Sequence, residues 1–365
     1  RQRRIEDLPL LRGEGRFIAN LSRPGQLHMR IVRSPLAYGK IDSIDTSEAR
    51  QLPGVHAIWT AEDIADVGSI PLRRVDLPEM NAFRQHALTD DYVRYVGDPI
   101  AVVFASGPYV AEDARDLVFA EIDELEPCLD AAGAMGEFRP GQSSEAAVVE
   151  KSYGDIDAAF AQAHQIVSLR LKIGRHTAVP LEMRGALADY DAETDVIRLY
   201  GAAKIPHHNR LVIADIIGHP VERLHLHEGH TGGGFGNRGE VYPEDVLCCV
   251  AAKRLGRPVK WIEDRKENLV AANHSRQQFH EIRAAVDENG FVLGIDGEFW
   301  LDQGAYLRTH GSAVTDLTLA MLPGPYVVPA YRYKGHIRLT NKTPCGTYRA
   351  PGRFEGTFVR ERLMD

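Results

Sequence analysis

Glycine fills positions 232, 233, 234, 236 and 239 of the run Thr231-Gly232-Gly233-Gly234-Phe235-Gly236-Asn237-Arg238-Gly239. Such a backbone reaches positive φ and lies close against a ligand. Its amide N–H groups can converge on an anion. Residues 221–230 before it alternate like a strand, and 243–255 after it read as a helix. A bare, donor-rich loop between two rigid elements suits the holding of an anionic cofactor. The same residues allow a second reading. Gly234, Gly236 and Gly239 match G-x-G-x-x-G, a strand-like 258–262 follows, and Glu263 or Asp264 stands where a ribose would be held. Against it, Pro243 belongs in the first turn of its helix, which starts the helix after the glycines. A plain structural turn is the third reading.

A second glycine loop follows late in the chain, Lys342-Thr343-Pro344-Cys345-Gly346-Thr347-Tyr348-Arg349-Ala350-Pro351-Gly352-Arg353. The pair T-G-G-G-F-G-N-R and T-Y-R-A-P-G-R resembles the molybdenum hydroxylases: xanthine dehydrogenase, aldehyde oxidase and the large chain of aerobic carbon monoxide dehydrogenase. Leu10-Leu11-Arg12-Gly13-Glu14-Gly15-Arg16-Phe17-Ile18 looks like that family's opening. Arg33-Ser34-Pro35-Leu36-Ala37-Tyr38, Leu52-Pro53-Gly54-Val55 and Tyr95-Val96-Gly97-Asp98-Pro99-Ile100-Ala101 look like its first domain. Arg254-Leu255-Gly256-Arg257-Pro258-Val259-Lys260-Trp261 looks like the run after its first glycine loop. The ordered set covers nearly the whole chain.

The resemblance implies an α+β fold: a small N-terminal hammerhead-like domain, then the first part of a molybdopterin-binding domain. It implies hydroxylation of an electron-poor carbon in an N-heteroaromatic or aldehyde, with oxygen from water. Gly233, Gly234, Phe235, Gly236, Arg349, Ala350 and Lys204 would face molybdenum–molybdopterin, in its plain or cytosine dinucleotide form. The backbone amide of Phe235 would approach the metal's oxygen ligands, and Arg349 would stand beside metal and pterin. The base, a glutamate, would lie outside this chain. FAD and [2Fe–2S] clusters would sit on an FAD subunit and an iron–sulfur subunit, beside a second molybdopterin-binding chain or a C-terminal half. The rival functional readings are a Rossmann-type nucleotide-dependent oxidoreductase and a non-catalytic scaffold subunit.

Three departures from the family bear on the substrate. Lys204, in Gly201-Ala202-Ala203-Lys204-Ile205-Pro206-His207, stands where the family often has a glutamine beside the metal. A lysine there brings a cation and three donors, for an anionic ligand or a substrate carboxylate; the alternative is a side chain in solvent. Ala350 replaces the copper-binding cysteine that follows the loop arginine in carbon monoxide dehydrogenase, so no soft copper ligand stands there, and Cys345 comes too early. Gly239 and Leu317 occupy the positions of the glutamate and arginine of purine-oxidising members, although Glu240 adjoins the first. Pro351 replaces a stacking phenylalanine. Lys204, Glu240 and Pro351 are therefore the candidates for substrate contact.

Other polar groups have plainer readings. His207, His208, His219, His225, His227 and His230 cluster. His225-x-His227-x-x-His230 has a zinc-like look, but no acid or cysteine pattern completes it, and no metal-ligand set is expected. His207 follows Pro206 close to Lys204 and is a candidate to face the pocket. Glu182 is a pocket acid or a partner for Arg184. Glu240, Glu244 and Asp245 complement the start of a helix, with Glu240 also in reach of the pocket.

Composition fits a globular enzyme component. The net charge of −8 argues against general nucleic-acid binding, and the sequence holds no apolar run long enough to span a membrane. The four cysteines, Cys128, Cys248, Cys249 and Cys345, lack iron–sulfur spacing and read as reduced, buried thiols of a cytoplasmic protein. Residues 1–132 form one α+β domain, with strands at 28–33 and 100–105 and helices at 45–51 and 109–117. Gly133, Gly136, Pro140, Gly141, Gln142, Ser143 and Ser144 mark 133–150 as a linker. Residues 151–365 form the second domain, with helices at 155–163 and 206–217 and strands at 165–172, 196–200, 279–286, 292–301 and 331–339. Residues 355–365 read as an amphipathic helix whose apolar face, Phe358, Val359 and Leu363, needs a partner. That favours a naturally split or cleaved chain over an artificial fragment. Arg1 leaves a removed leader open.

Overall fold

The computed structural model describes residues 3–73, 77–201 and 204–365. Ala202 and Ala203, inside the run that carries Lys204, lie outside the described residues. The unbroken apolar run of Pro99–Ala105 is buried at every position, as a strand covered on both faces requires. It pairs antiparallel with Leu27–Arg33 and with Val55–Trp59. Leu27–Arg33 pairs parallel with Val259–Ile262, so the N-terminal part and the stretch after the first glycine loop share one seven-stranded sheet. Its order is Leu224–His227, Val196–Tyr200, Gly185–Asp191, Val259–Ile262, Leu27–Arg33, Pro99–Ala105, Val55–Trp59.

Helix Pro243–Leu255 lies on this sheet. Its middle is apolar all round, and Val246, Leu247, Cys248, Cys249, Val250, Ala251 and Ala252 are all buried, as a helix segment inside a core must be. Pro243 occupies its first turn, and Asp245 accepts from the Tyr242 amide at 3.2 Å. Gly256 ends it in the left-handed region, φ 60°. A five-stranded sheet forms the second layer system, in the order Gln165–Ile173, Gln277–Val286, Val292–Gly304, Ala330–Leu339, Glu145–Tyr153. Helices Ala313–Met321 and Arg353–Met364 pack with Ile282, Phe299, Leu301 and Tyr333 of this sheet. A third sheet of Tyr92–Val93, Gly39–Asp45 and Phe119–Glu124 belongs to the N-terminal part.

Three expectations change. Residues 133–150 carry a hairpin, Glu137–Arg139 with Gln142–Ser143, and the first half of Glu145–Tyr153, an edge strand on Ala330–Leu339. The Gly, Pro and Ser residues there mark turns, not an absence of strands. Only Leu224–His227 of 221–230 is strand; Val221–Arg223 is a 3-10 turn after Pro220. In the last helix Val359 is fully buried and Leu363 nearly so, among Val314, Leu319 and Leu322 of the same chain. Its apolar stripe is covered by helix Ala313–Met321, which the sequence reading had not identified, while Phe358 stays 38% exposed.

Candidate functional site

The first glycine loop leaves the seven-stranded sheet after His227 and runs into the helix that starts at Pro243. Gly233 and Gly236 take φ of 100° and 107°, and Phe235 is left-handed at 51°, a conformation uncommon outside glycine. One buried cation holds the turn. Arg238 donates from Nε to the Gly233 carbonyl at 2.8 Å and from Nη2 to the Glu182 carboxylate at 2.9 Å and the Met183 carbonyl at 3.0 Å. Burial lowers the pKa of this guanidinium. Glu182 Oε2 also accepts from the Gly232 amide at 2.7 Å. Glu182 is thus the partner of the loop and of Arg238, not of Arg184. Arg184 pairs with Glu263 and, at 3.3 Å, with Glu244.

The second loop lies along the first. The Arg349 amide donates to the Phe235 carbonyl at 2.9 Å. A Cβ on Gly236 would come 2.7 Å from Thr347 Cγ2, so glycine permits the contact. Arg276 clamps the second loop from behind by donating to the Tyr348 carbonyl and, at 3.3 Å, to the Arg349 carbonyl. Arg276 is itself fully buried against Glu355.

Between the loops opens a cavity of about 690 Å³. Gly234, Phe235 and Gly236 line it from one loop, Arg349, Ala350 and Pro351 from the other, and Lys204 joins them. The structure therefore brings together six of the seven residues expected at the cofactor. Gly233 lies behind the wall, with its missing Cβ facing the Phe235 ring and Pro180. Sequence reasoning had not singled out Glu228, Thr231, Arg238, Thr347 and Arg353, which also line the cavity. Arg238 and Thr347 could have been found as the polar residues within the two glycine runs. The Lys204 amide donates to the Arg238 carbonyl at 3.0 Å, which sets its side chain beside the first loop. Among the described residues the side chains of Lys204, Arg349 and Arg353 form no ion pair, and the amides of Gly234, Phe235 and Gly236 have no acceptor. Among the described residues Glu228 is the one acid lining the cavity, its pKa raised by burial.

Glu240 does not reach the cavity. Its side chain is fully buried, with Oε1 accepting from the Thr347 amide at 2.8 Å and Oε2 from His310. Burial pushes its carboxyl up, but the bonds from His310 and Thr347 prevail and hold it below the ordinary value. The reading of Glu240 as a substrate contact is therefore corrected. Pro351 is at the wall, and Leu317 packs against Gly352 at the foot of the second loop. Cys345 is fully buried, its thiol pushed up to about 12 by burial. His207 is exposed and outside the lining. His230 accepts from the Arg16 amide at 2.8 Å, His227 stacks on Tyr200, and His219 accepts from Lys253 at 3.1 Å. Among the described residues no three His, Cys, Asp or Glu side chains converge as metal ligands.

The dinucleotide reading fails on topology. It needs the strands on either side of helix Pro243–Leu255 to be neighbours. Val196–Tyr200 and Gly185–Asp191 separate Leu224–His227 from Val259–Ile262. Glu263, its ribose ligand, is fully buried on Arg184 and Asn268.

Comparison with known proteins agrees with this geometry. The molybdopterin cofactor-binding domain family matches residues 138–365. The chain belongs to that family. Ahead of this molybdopterin-binding domain, the a/b hammerhead domain of aldehyde oxidase and xanthine dehydrogenase matches residues 12–126. The chain is 41% identical to the 6-hydroxypseudooxynicotine dehydrogenase complex subunit gamma of Paenarthrobacter nicotinovorans, over 99% of this chain and 46% of that protein. It is 32% identical to the carbon monoxide dehydrogenase large chain of Hydrogenophaga pseudoflava, over 99% of this chain and 47% of that one. The crystal structure of quinoline 2-oxidoreductase from Pseudomonas putida 86 superposes with a TM-score of 0.90 at 34% identity, covering 99% of this chain and 47% of that one. The chain spans about half the length of these relatives. Among the described residues no helix is long and apolar enough to cross a membrane.

Proposed function

We propose that this chain forms one wall of the cofactor site of a molybdenum hydroxylase that acts on an N-heteroaromatic or aldehyde carbon. The observation that carries the reading is the joining of the two glycine loops, Arg349 to Phe235, around a cavity with a cationic wall and free backbone donors. The donor set fits the group. A molybdopterin carries a phosphate and its metal carries anionic oxygen ligands, and such groups call for N–H donors and cations; the acid at this wall, Glu228, has its carboxyl raised by burial toward the neutral form. Gly234, Phe235 and Gly236 would hold it by backbone donors, and Arg349 and Arg353 by charge, with the Lys204 ammonium at the wall facing the substrate. When bound, the cofactor supplies the two-electron oxidation of the substrate carbon, with oxygen from water.

The residues of this chain bind and orient; Glu182 and Glu240 are committed to the loops, which leaves Glu228, its carboxyl raised by burial, as the acid at the cavity wall. The base belongs to a second molybdopterin-binding segment. An FAD subunit and an iron–sulfur subunit with [2Fe–2S] clusters would take the electrons, in a cytoplasmic complex. Residues 1–132 would be its hammerhead part and 151–365 its cofactor-binding part, with the cofactor in plain or cytosine dinucleotide form. Native mass spectrometry and metal analysis of the complex from its source test this. Stoichiometric molybdenum with FAD and iron–sulfur partners is expected; a complex of these chains free of molybdenum and pterin overturns it.

A further inference from the structure

We propose that Glu240 is a positioning residue for the second glycine loop, its carboxylate fixed by His310 and in turn fixing Thr347, so that Arg349 is aimed at the cavity. The inference rests on the cofactor reading of that cavity. Three N–H donors converge on one buried carboxylate: Thr347 N on Oε1 at 2.8 Å, and His310 N and Nδ1 on Oε2, each at 3.1 Å. The His310 tautomer follows from its other nitrogen. Nε2 lies 2.6 Å from Arg73 Nη1, and a guanidinium only donates. Nε2 therefore accepts, and the proton sits on Nδ1, facing Glu240.

The segments tied in this way are distant in the chain. Arg73 belongs to the hammerhead part, and its amide donates to the Thr309 carbonyl at 2.8 Å. Thr309 Oγ1 accepts from the Val241 amide at 3.3 Å, next to Glu240. The Glu240 carbonyl accepts from Asn209 on helix Pro206–Ile216 at 3.3 Å. Thr347, held by Glu240 on one side, meets Gly236 on the other, where an added Cβ would clash with it. Two residues on, Arg349 bonds Phe235. A shift of Glu240 thus moves both loops, although Glu240 touches nothing in the cavity.

The chemistry of this junction demands a carboxylate. A glutamine offers one acceptor oxygen and an NH₂ that would face N–H donors, leaving either Thr347 or His310 unsatisfied in a buried place. Aspartate is too short to meet both sides.

The test is hydrogen–deuterium exchange by mass spectrometry on the assembled complex, with molybdenum content measured on the same samples. Glu240→Gln is expected to speed exchange of peptides spanning 346–350 by about tenfold or more. Peptides from Val259–Ile262 and Gln277–Val286 should exchange at the wild-type rate. His310→Ala should loosen the same peptides, and His310→Asn, whose side-chain NH₂ can stand in for Nδ1–H, should restore their protection. This pair carries the test if Glu240→Gln fails to assemble. Unchanged exchange at 346–350, or a rise spread over the whole chain, overturns the proposal. A wild-type complex without molybdenum would overturn the cofactor reading alone, and loop-specific loosening in that complex would still support the positioning role.

Discussion

The Arg349 amide donates to the Phe235 carbonyl at 2.9 Å, with a left-handed residue on each side of the bond, Phe235 at φ 51° and Ala350 at φ 53°. Two strained turns thus brace each other, and neither conformation is favourable alone. The brace depends on Gly236, which combines φ 107° with direct approach to Thr347. Gly236→Ala should destabilise the chain by about 1–3 kcal/mol and reduce the molybdenum retained by the complex. Urea unfolding and metal analysis check this. Wild-type stability and metal content together would mean that the loops do not depend on this contact.

Lys204 is exposed and forms no ion pair among the described residues, yet it stands at the cavity wall. Lys204→Gln should leave thermal stability within about 0.5 kcal/mol of wild type and leave molybdenum content intact. It should lower kcat/KM for carboxylated heteroaromatics by about tenfold, the loss of one solvent-screened charge contact, and spare neutral ones. Equal losses on both substrate classes would show that Lys204 does not read substrate charge.

Behind the first loop, Arg184 joins Glu263 and Glu244, and Arg33 joins Glu244 and Glu267, all with little or no exposure. Removing Glu263 leaves the buried Arg184 with Glu244 alone, at 3.3 Å and already shared with Arg33. Glu263→Gln should therefore cost roughly 3 kcal/mol or more. The midpoint of urea unfolding, at unchanged m-value, measures it, and a loss well under 1 kcal/mol would mean that water reaches Arg184.

The sequence reading was strongest where local chemistry decides structure. Helix Pro243–Leu255 was legible because Pro243, two early acids and Gly256 mark its ends. Val196–Tyr200 was legible by alternation between turns. The two loops were placed in one site by resemblance, since nothing local says that Arg349 meets Phe235. Side-chain partnerships across the fold were not legible. Glu182 and Glu240 read as ordinary acids, because their donors lie on segments far along the chain. The edge strand Glu145–Tyr153 was hidden for the same reason: among the described residues its pairing partner is Ala330–Leu339.

Asp98, in the Gly97-Asp98-Pro99 turn, gives the last prediction. It is fully buried; Oδ2 accepts from the Arg94 amide at 2.9 Å and from the Tyr306 hydroxyl at 3.1 Å, while Oδ1 has no partner among the described residues. Burial pushes its carboxyl up to about 6, with the bond from Arg94 pulling the other way. The unfolded value is about 3.9, so between the two the folded state binds the extra proton. The stability that this group contributes is fully present below about pH 4 and is lost as pH rises through about 6. Asp98→Asn keeps an acceptor for Arg94 and Tyr306 and removes the titration. The variant's stability relative to wild type should therefore rise between about pH 4 and pH 6 and then level off. Urea midpoints of both proteins across that range decide it: a constant difference at every pH would mean that Asp98 stays ionised in the fold, its burial offset by Arg94.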